Sequence, residues 1–130
     1  AGVLTSLLSI LVMSILFHLK HEYYVSMLPK SITTAIGIGI SEELGGISTI
    51  TTAVIIVTGV FGNVMADIVY KIFNITNPTA KGIGLGASAH AIGTSKALEM
   101  GATEGAMSSL SIAVAGIITV IFASFFAKIM

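Results

Sequence analysis

The chain has no cysteine, no arginine, only two prolines in 130 residues, and charged side chains at just 9% of positions. Without cysteine there is no disulfide, no thiolate metal site and no cysteine nucleophile to consider. Six lysines balance five glutamates and one aspartate to a formal net charge of zero, so no basic patch points to nucleic acid or to an anionic lipid surface. What fills the chain is hydrocarbon. Hydrophobic residues make up 55% of it and the mean hydropathy is +1.02, outside the balance of a water-soluble domain. The composition is that of a membrane protein.

Apolar runs over residues 2–17, 50–69 and 106–127 approach the ~20 residues a helix needs to cross a ~30 Å hydrocarbon layer, and are read as three spans. The first is the shortest and carries Thr5, Ser6, Ser9 and Ser14, which suits a helix packed on protein along one side. It lacks the initiator methionine and positive leader of a signal peptide, so the chain is expected to be the later part of a longer protein. Lys20, His21, Glu22, Tyr23 and Tyr24 then mark an interface.

Pro29 fits the first position of a new helix, which runs to about Leu44 and stops at Gly45 and Gly46. At ~1.5 Å per residue this helix is too short to cross comfortably. A second short helix is expected from Lys81 to Met100, ended by Gly101, with a full span after each. Asp67 precedes Lys71 by one turn and is read as its partner. Shifting the chain by 56 residues lays Ala35, Ile36, Gly37, Glu43 and Gly45 over Ala91, Ile92, Gly93, Glu99 and Gly101, five identities in eleven columns. The sequence is therefore read as one transmembrane domain, residues 1–130, with internal repeats at about 29–70 and 81–128. Paired, interrupted hydrophobic helices are the sequence mark of a transporter's binding site.

Charge inside a span costs about 2.5 to 3.5 kcal/mol on insertion scales, so each polar residue kept there needs a reason. Lys30, in the first turn of a short helix, opposes the helix dipole unless an anion is present. With the hydroxyls of Ser31, Thr33 and Thr34 it would make an anion site. The bland alternative is a lysine snorkelling to the headgroups. His90 is the histidine away from the interface, placed with Gly93 and Thr94; it is either a packed, hydrogen-bonded residue or a group that binds a carboxylate or carries a proton. Asn63 is a cavity candidate by its position within the second span. Lys96 and Glu99 are read as a mutual pair or as snorkelling groups, and Glu42, Glu43 and Glu104 as charges at helix ends.

Enzyme signatures fail. The run GIGLGA from Gly82 matches a nucleotide fingerprint but follows a turn, not a buried strand. Ser88 near His90 lacks the second glycine of a nucleophile elbow and an orienting acid. His18, His21 and Glu22 offer three metal ligands without a fourth. No cofactor, metal or bond-making chemistry is expected.

The segments PKSITTAIGIGISEELGG and KGIGLGASAHAIGTSKALE resemble the two signature stretches of the LrgB/CidB family of bacterial membrane proteins, over essentially the whole chain. The chain departs from that family at Ala35 and Ser48, where proline is usual, and at Lys96, where arginine is. The resemblance implies two functions. One is modulation of murein hydrolase export and cell lysis, with a small holin-like LrgA/CidA partner. The other is carriage of small carboxylates, as in the related plastid glycolate/glycerate transporter and bacterial pyruvate-uptake systems. Read with the repeat, the expectation is an all-α membrane protein of the bacterial inner membrane, multi-pass, its full helices alternating with two short discontinuous or re-entrant ones. Its expected work is secondary transport of a glycolate-, glycerate- or pyruvate-like anion, with lysis control as the alternative. The expected site is Lys30, Ser31, Thr33, Thr34, Gly45, Gly46, Asn63, His90, Gly93 and Thr94. Proton or sodium coupling, homo-oligomer formation, orientation and the sense of the repeat are left open.

Overall fold

A computed structural model describes residues 1–130. It contains six helices and no strand: α1 (Gly2–Leu16), α2 (His21–Met27), α3 (Thr34–Glu43), α4 (Ser48–Ile72), α5 (Pro78–Met100) and α6 (Ala102–Ala127). Two of them, α4 with 25 residues and α6 with 26, are long and apolar enough to cross a membrane. The third expected span falls short: α1 has 15 residues, about 22 Å of helix.

The helix ends explain why the chain turns where it does. After α1, His18 takes a left-handed φ of 50°, with its N–H on the Ile15 carbonyl and the Leu19 N–H on the Ser14 carbonyl. After α4, Asn74 takes the same φ of 50°, with bonds from Asn74 to Lys71 and from Ile75 to Tyr70. Both are Schellman caps, which satisfy the last free carbonyls of a helix. The expected stop at Gly45 and Gly46 is a third: Gly45 has φ +81° and the Gly46 N–H reaches Ser41 at 2.7 Å.

The first short helix begins later than Pro29 suggests. Beyond α2 the chain keeps winding through tight i→i+3 turns, Lys30 to Met27 and Ile32 to Pro29. Only Thr33, extended at ψ 144°, breaks it and caps α3. Lys30 therefore lies in the connection between α2 and α3, not in a helical first turn. The α2 and α3 arms fold against each other, since a Cβ on Gly37 would lie 3.6 Å from the Pro29 carbonyl oxygen.

The second short helix is longer than expected and broken. It starts at Pro78, behind an Asn77 cap whose Oδ1 accepts from the Ala80 N–H at 3.1 Å, and its helical path fails at His90 (φ 43°, ψ −133°). Residues eight apart on a straight helix are ~12 Å apart along its axis. Here a Cβ on Gly93 would stand 2.6 Å from the Leu85 carbonyl oxygen, so residues 91–100 run back along residues 78–89 as a helical hairpin.

The two hairpins lie on opposite ends of α4. Near its start, the Thr51 hydroxyl donates to the Ser26 carbonyl at 2.9 Å and is hydrogen-bonded to the Ser41 hydroxyl at 2.6 Å, which fixes the open end of the α2–α3 hairpin. Near its finish, the Tyr70 hydroxyl donates to the Lys81 carbonyl at 2.7 Å, at the open end of the α5 hairpin. Both tips reach the middle of α4: Gly37 faces Ile55, and the His90 ring lies against Gly59. Helix α6 returns beside the α5 hairpin, then ends at α2, where Tyr24 donates to the Phe126 carbonyl at 2.9 Å. The main apolar core joins α1, α2, α3 and α6 through Leu7, Val25, Leu28, Ile32, Ile40, Ala123 and Phe126. Large apolar side chains remain exposed along α4 (Val60, Val64, Ile68) and α6 (Ile117, Ile121, Phe125).

Candidate functional site

A cavity of about 860 Å³ opens between α1, the α2–α3 connection, α4 and the first arm of α5. The polar end of it is built by Lys30. The Lys30 ammonium donates to the Ser31 hydroxyl at 3.1 Å, and the Ser31 hydroxyl is 3.0 Å from that of Ser6 on α1. Thr5, Ser9, Thr58 and Ser88 add further hydroxyls, whereas Val57, Phe61, Met65 and Ile83 supply an apolar wall. No aspartate or glutamate lines the cavity, and the protein's ion pair is elsewhere, between Lys96 and Asp67 at 2.7 Å. Lys30 is thus a half-buried cation with hydroxyl partners and no counter-charge. A group of that kind favours an incoming anion, because the anion supplies the charge that burial has taken from solvent.

Of the ten residues singled out from sequence, Lys30 and Ser31 line this cavity. Thr33 and Thr34 start α3 and are half-buried, outside the cavity lining. Gly45 and Gly46 lie past the end of α3, and Gly46 packs against the Ser26 and Ser41 hydroxyls at the open end of the first hairpin. The remaining four gather where the α5 hairpin is fastened. The half-buried Asn63 amide donates to the Ile92 carbonyl at 3.0 Å. His90 Nε2 donates to the Ile55 carbonyl at 2.9 Å; a carbonyl can only accept, so Nε2 carries the proton. Thr94 donates to the His90 carbonyl at 3.0 Å and shares a 2.7 Å hydrogen bond with Ser108. Gly93 makes the close approach of the two arms possible. A left-handed histidine costs about 1 to 3 kcal/mol of backbone strain, and these bonds hold it in place.

The ion pair corrects a sequence reading. Asp67 bonds to Lys96, 29 residues on, rather than to Lys71, and Lys96 is accordingly not the partner of Glu99. Folding the second arm of α5 back along α4 puts Lys96 beside Asp67, a placement that helical spacing alone does not reveal. Ser6, Thr58 and Ser88 are cavity hydroxyls that the sequence reading passed over as site residues. A signal for the first was present, since Gly2, Thr5, Ser6 and Ser9 recur at helical spacing and form one small, polar face of α1.

Six helices, two of them long and apolar, two helical hairpins, and a cavity with one unpaired cation define an all-helical protein of the membrane-protein type in composition. The profile of the LrgB-like family matches residues 1–129, so the chain belongs to the LrgB-like family, in line with the resemblance of its signature segments. It is 36% identical over 129 residues to the antiholin-like protein LrgB of Bacillus subtilis (strain 168), covering 99% of this chain and 56% of that protein. It is also 39% identical over 113 residues to the uncharacterized protein YwbG of the same organism, covering 87% of this chain and 50% of that one. The chain thus spans about half the length of the curated relatives it matches. No solved structure matches it.

Proposed function

We propose that the chain is part of a multi-pass protein of the bacterial inner membrane that acts in an antiholin-like role, modulating murein hydrolase export and lysis together with a small LrgA/CidA-like membrane protein. This is the second of the two readings drawn from the sequence, and it moves ahead of transport. The observation that carries it is the 36% identity, over nearly the whole chain, to a protein named antiholin-like. The outward faces of α4 and α6 support placement in lipid. Each large apolar side chain left in water forgoes about 1.5 to 3 kcal/mol of burial, and hydrocarbon removes that cost.

The internal repeat belongs to the same proposal. An offset of 56 residues carries Thr34–Glu43 onto His90–Glu99, and the Phe17–Leu19 cap onto the Phe73–Ile75 cap with its bonds. It also carries the Gly37–Pro29 contact onto the Gly93–Leu85 contact. Because the hairpins occupy opposite ends of α4, the two halves are related as inverted copies.

A second reading is favoured by one specific observation, the uncompensated Lys30 ammonium in a cavity between two oppositely placed hairpins. It is secondary transport of a small carboxylate, with Lys30 and the Ser31 and Ser6 hydroxyls holding the anion and proton or sodium coupling to be measured. The two readings separate on Lys30→Met. If lysis control is the function, expression changes the rate of autolysis, the variant keeps that effect, and proteoliposomes show no saturable uptake of two- and three-carbon carboxylates. Saturable uptake that vanishes in a folded Lys30→Met protein reverses the order of the readings.

A further inference from the structure

The base of the α5 hairpin holds a second pocket of about 400 Å³, where α4 ends and α5 begins, adjoining the main cavity through Tyr70 and Ile75. The sequence shows Lys71 and Lys81 ten residues apart with no basic run around either. The turn at Asn74 brings both to the lining of this one pocket. The only acid that lines it, Asp67, is engaged by Lys96 at 2.7 Å. Glu99 and Glu104 line neither the pocket nor pair with either lysine. Lys81 lies 5.9 Å over the Tyr70 ring, a contact that orients its stem and leaves the ammonium's donors unspent. Lys71 and Lys81, with the lining's one acid already paired to Lys96 and with the polar side chains of Asn74 and Thr76 beside them, therefore face one small space.

The surroundings say what kind of anion fits. Ile75 and Met100 form the apolar part of the lining, and Ile72 and Phe73 beside it are 67% and 70% exposed. A ligand here meets charge at one end and hydrocarbon at the other. We propose that this pocket binds the phosphate headgroup of an anionic phospholipid, its acyl chains running back down α4 from Ile72 along the exposed Ile68 and Val64. The proposal rests on the membrane placement given above, because only there does the end of α4 stand at the headgroup level, where tyrosine and lysine anchor helices. Lysine serves a phosphodiester as a point charge, and two lysines from different elements can reach two of its oxygens.

The test uses the purified chain in detergent, titrated with phosphatidylglycerol or with phosphatidylcholine and read by native mass spectrometry. Phosphatidylglycerol is expected to be retained in preference. Lys71→Gln and Lys81→Gln are each expected to weaken retention about fivefold, and together about 25-fold, with Lys128→Gln at the far end of α6 as the unaffected control. Excess inorganic phosphate is expected to leave the lipid bound. Equal retention of both lipids, or a double variant that binds as before, overturns the assignment. Displacement by inorganic phosphate also overturns it, in favour of a free phosphate ion. Reconstitution into vesicles tells this failure from that of the membrane reading: a chain that enters bilayers without lipid preference sinks only the headgroup site, and one that does not enter sinks both.

Discussion

The two hairpins flanking α4 have similar outlines and differ in how closely backbone packs on backbone. The α2–α3 hairpin is fastened by side chains: Thr51 gathers the Ser26 carbonyl and the Ser41 hydroxyl, and the Ser26 hydroxyl accepts from the Ile47 N–H at 2.7 Å. The α5 hairpin has side-chain bonds too, from Asn63, Tyr70, His90 and Thr94, and adds to them a close approach of backbone to backbone. Gly82 and Gly86 press on the Glu104 and Ser108 carbonyls of α6, and Gly93 on that of Leu85. Side chains can shift by a rotamer, whereas backbone against backbone has nowhere to go. The hairpin with adjustable neighbours also carries Lys30 to the edge of the main cavity, and the rigid one has its tip His90 tied to α4. A protein that must rearrange around an anion would gain from having its cation on the adjustable side.

Substitution at the glycines breaks that comparison most directly. Gly86→Ala should have the largest effect, because its Cβ would collide with the Ser108 backbone; overpacking of this kind costs about 1 to 3 kcal/mol and more where neither partner can move. Loss of the monodisperse species on detergent size exclusion is the expected readout. Gly93→Ala should come next, with a Cβ 2.6 Å from the Leu85 carbonyl oxygen, and clearly above its offset partner Gly37→Ala, whose one tight contact is the terminal methyl of Ile55, with Pro29 at an ordinary 3.6 Å. Equal melting temperatures for the Gly93 and Gly37 variants would show that the two hairpins are equally adjustable. Thr51→Val removes the hydroxyl at the buried base of the first hairpin. It leaves the fully buried Ser41 hydroxyl without that partner, at about 1 to 3 kcal/mol. A thermal shift smaller than that of Gly86→Ala would fit a site where water or a rotamer can compensate.

Local rules reveal what lies within one helix and little of what lies between helices. The glycine stop at Gly45 and Gly46, the helix before Gly101 and the long helices α4 and α6 follow from composition and periodicity, since capping and burial act over a few turns. Pro29 misleads because a proline that suits a helix start is equally at home within a tight turn, and the actual signal is Thr33 with its extended ψ. The reversal at His90 has no local mark. Histidine has no preference for left-handed φ comparable to glycine's, so the break is imposed by packing on α4 and α6. Once the reversal is hidden, so are its consequences: the pairing of Asp67 with Lys96 and the meeting of Asn63 with Ile92. Lys30 was legible as an unusual charge, but its hydroxyl partner Ser6 comes from a different helix, 25 residues away from Ser31.

The smallest expected effect is also the one of opposite sign. Gly39 lies on the exposed face of α3, inside the hairpin with adjustable packing, and a Cβ there would meet nothing within 4 Å. Its backbone is helical, so alanine fits without strain and restricts the unfolded chain more than glycine does. Gly39→Ala should therefore stabilise the protein by about 0.4 to 1 kcal/mol, read as a higher melting temperature in detergent. If Gly39→Ala stabilises while Gly37→Ala, one face around, is close to neutral, the first hairpin tolerates added bulk along its length, as the comparison requires. If Gly39→Ala instead destabilises or abolishes function in a folded protein, then the open space beside Gly39 is filled by something bound there, and the α3 face belongs to an interface rather than to lipid.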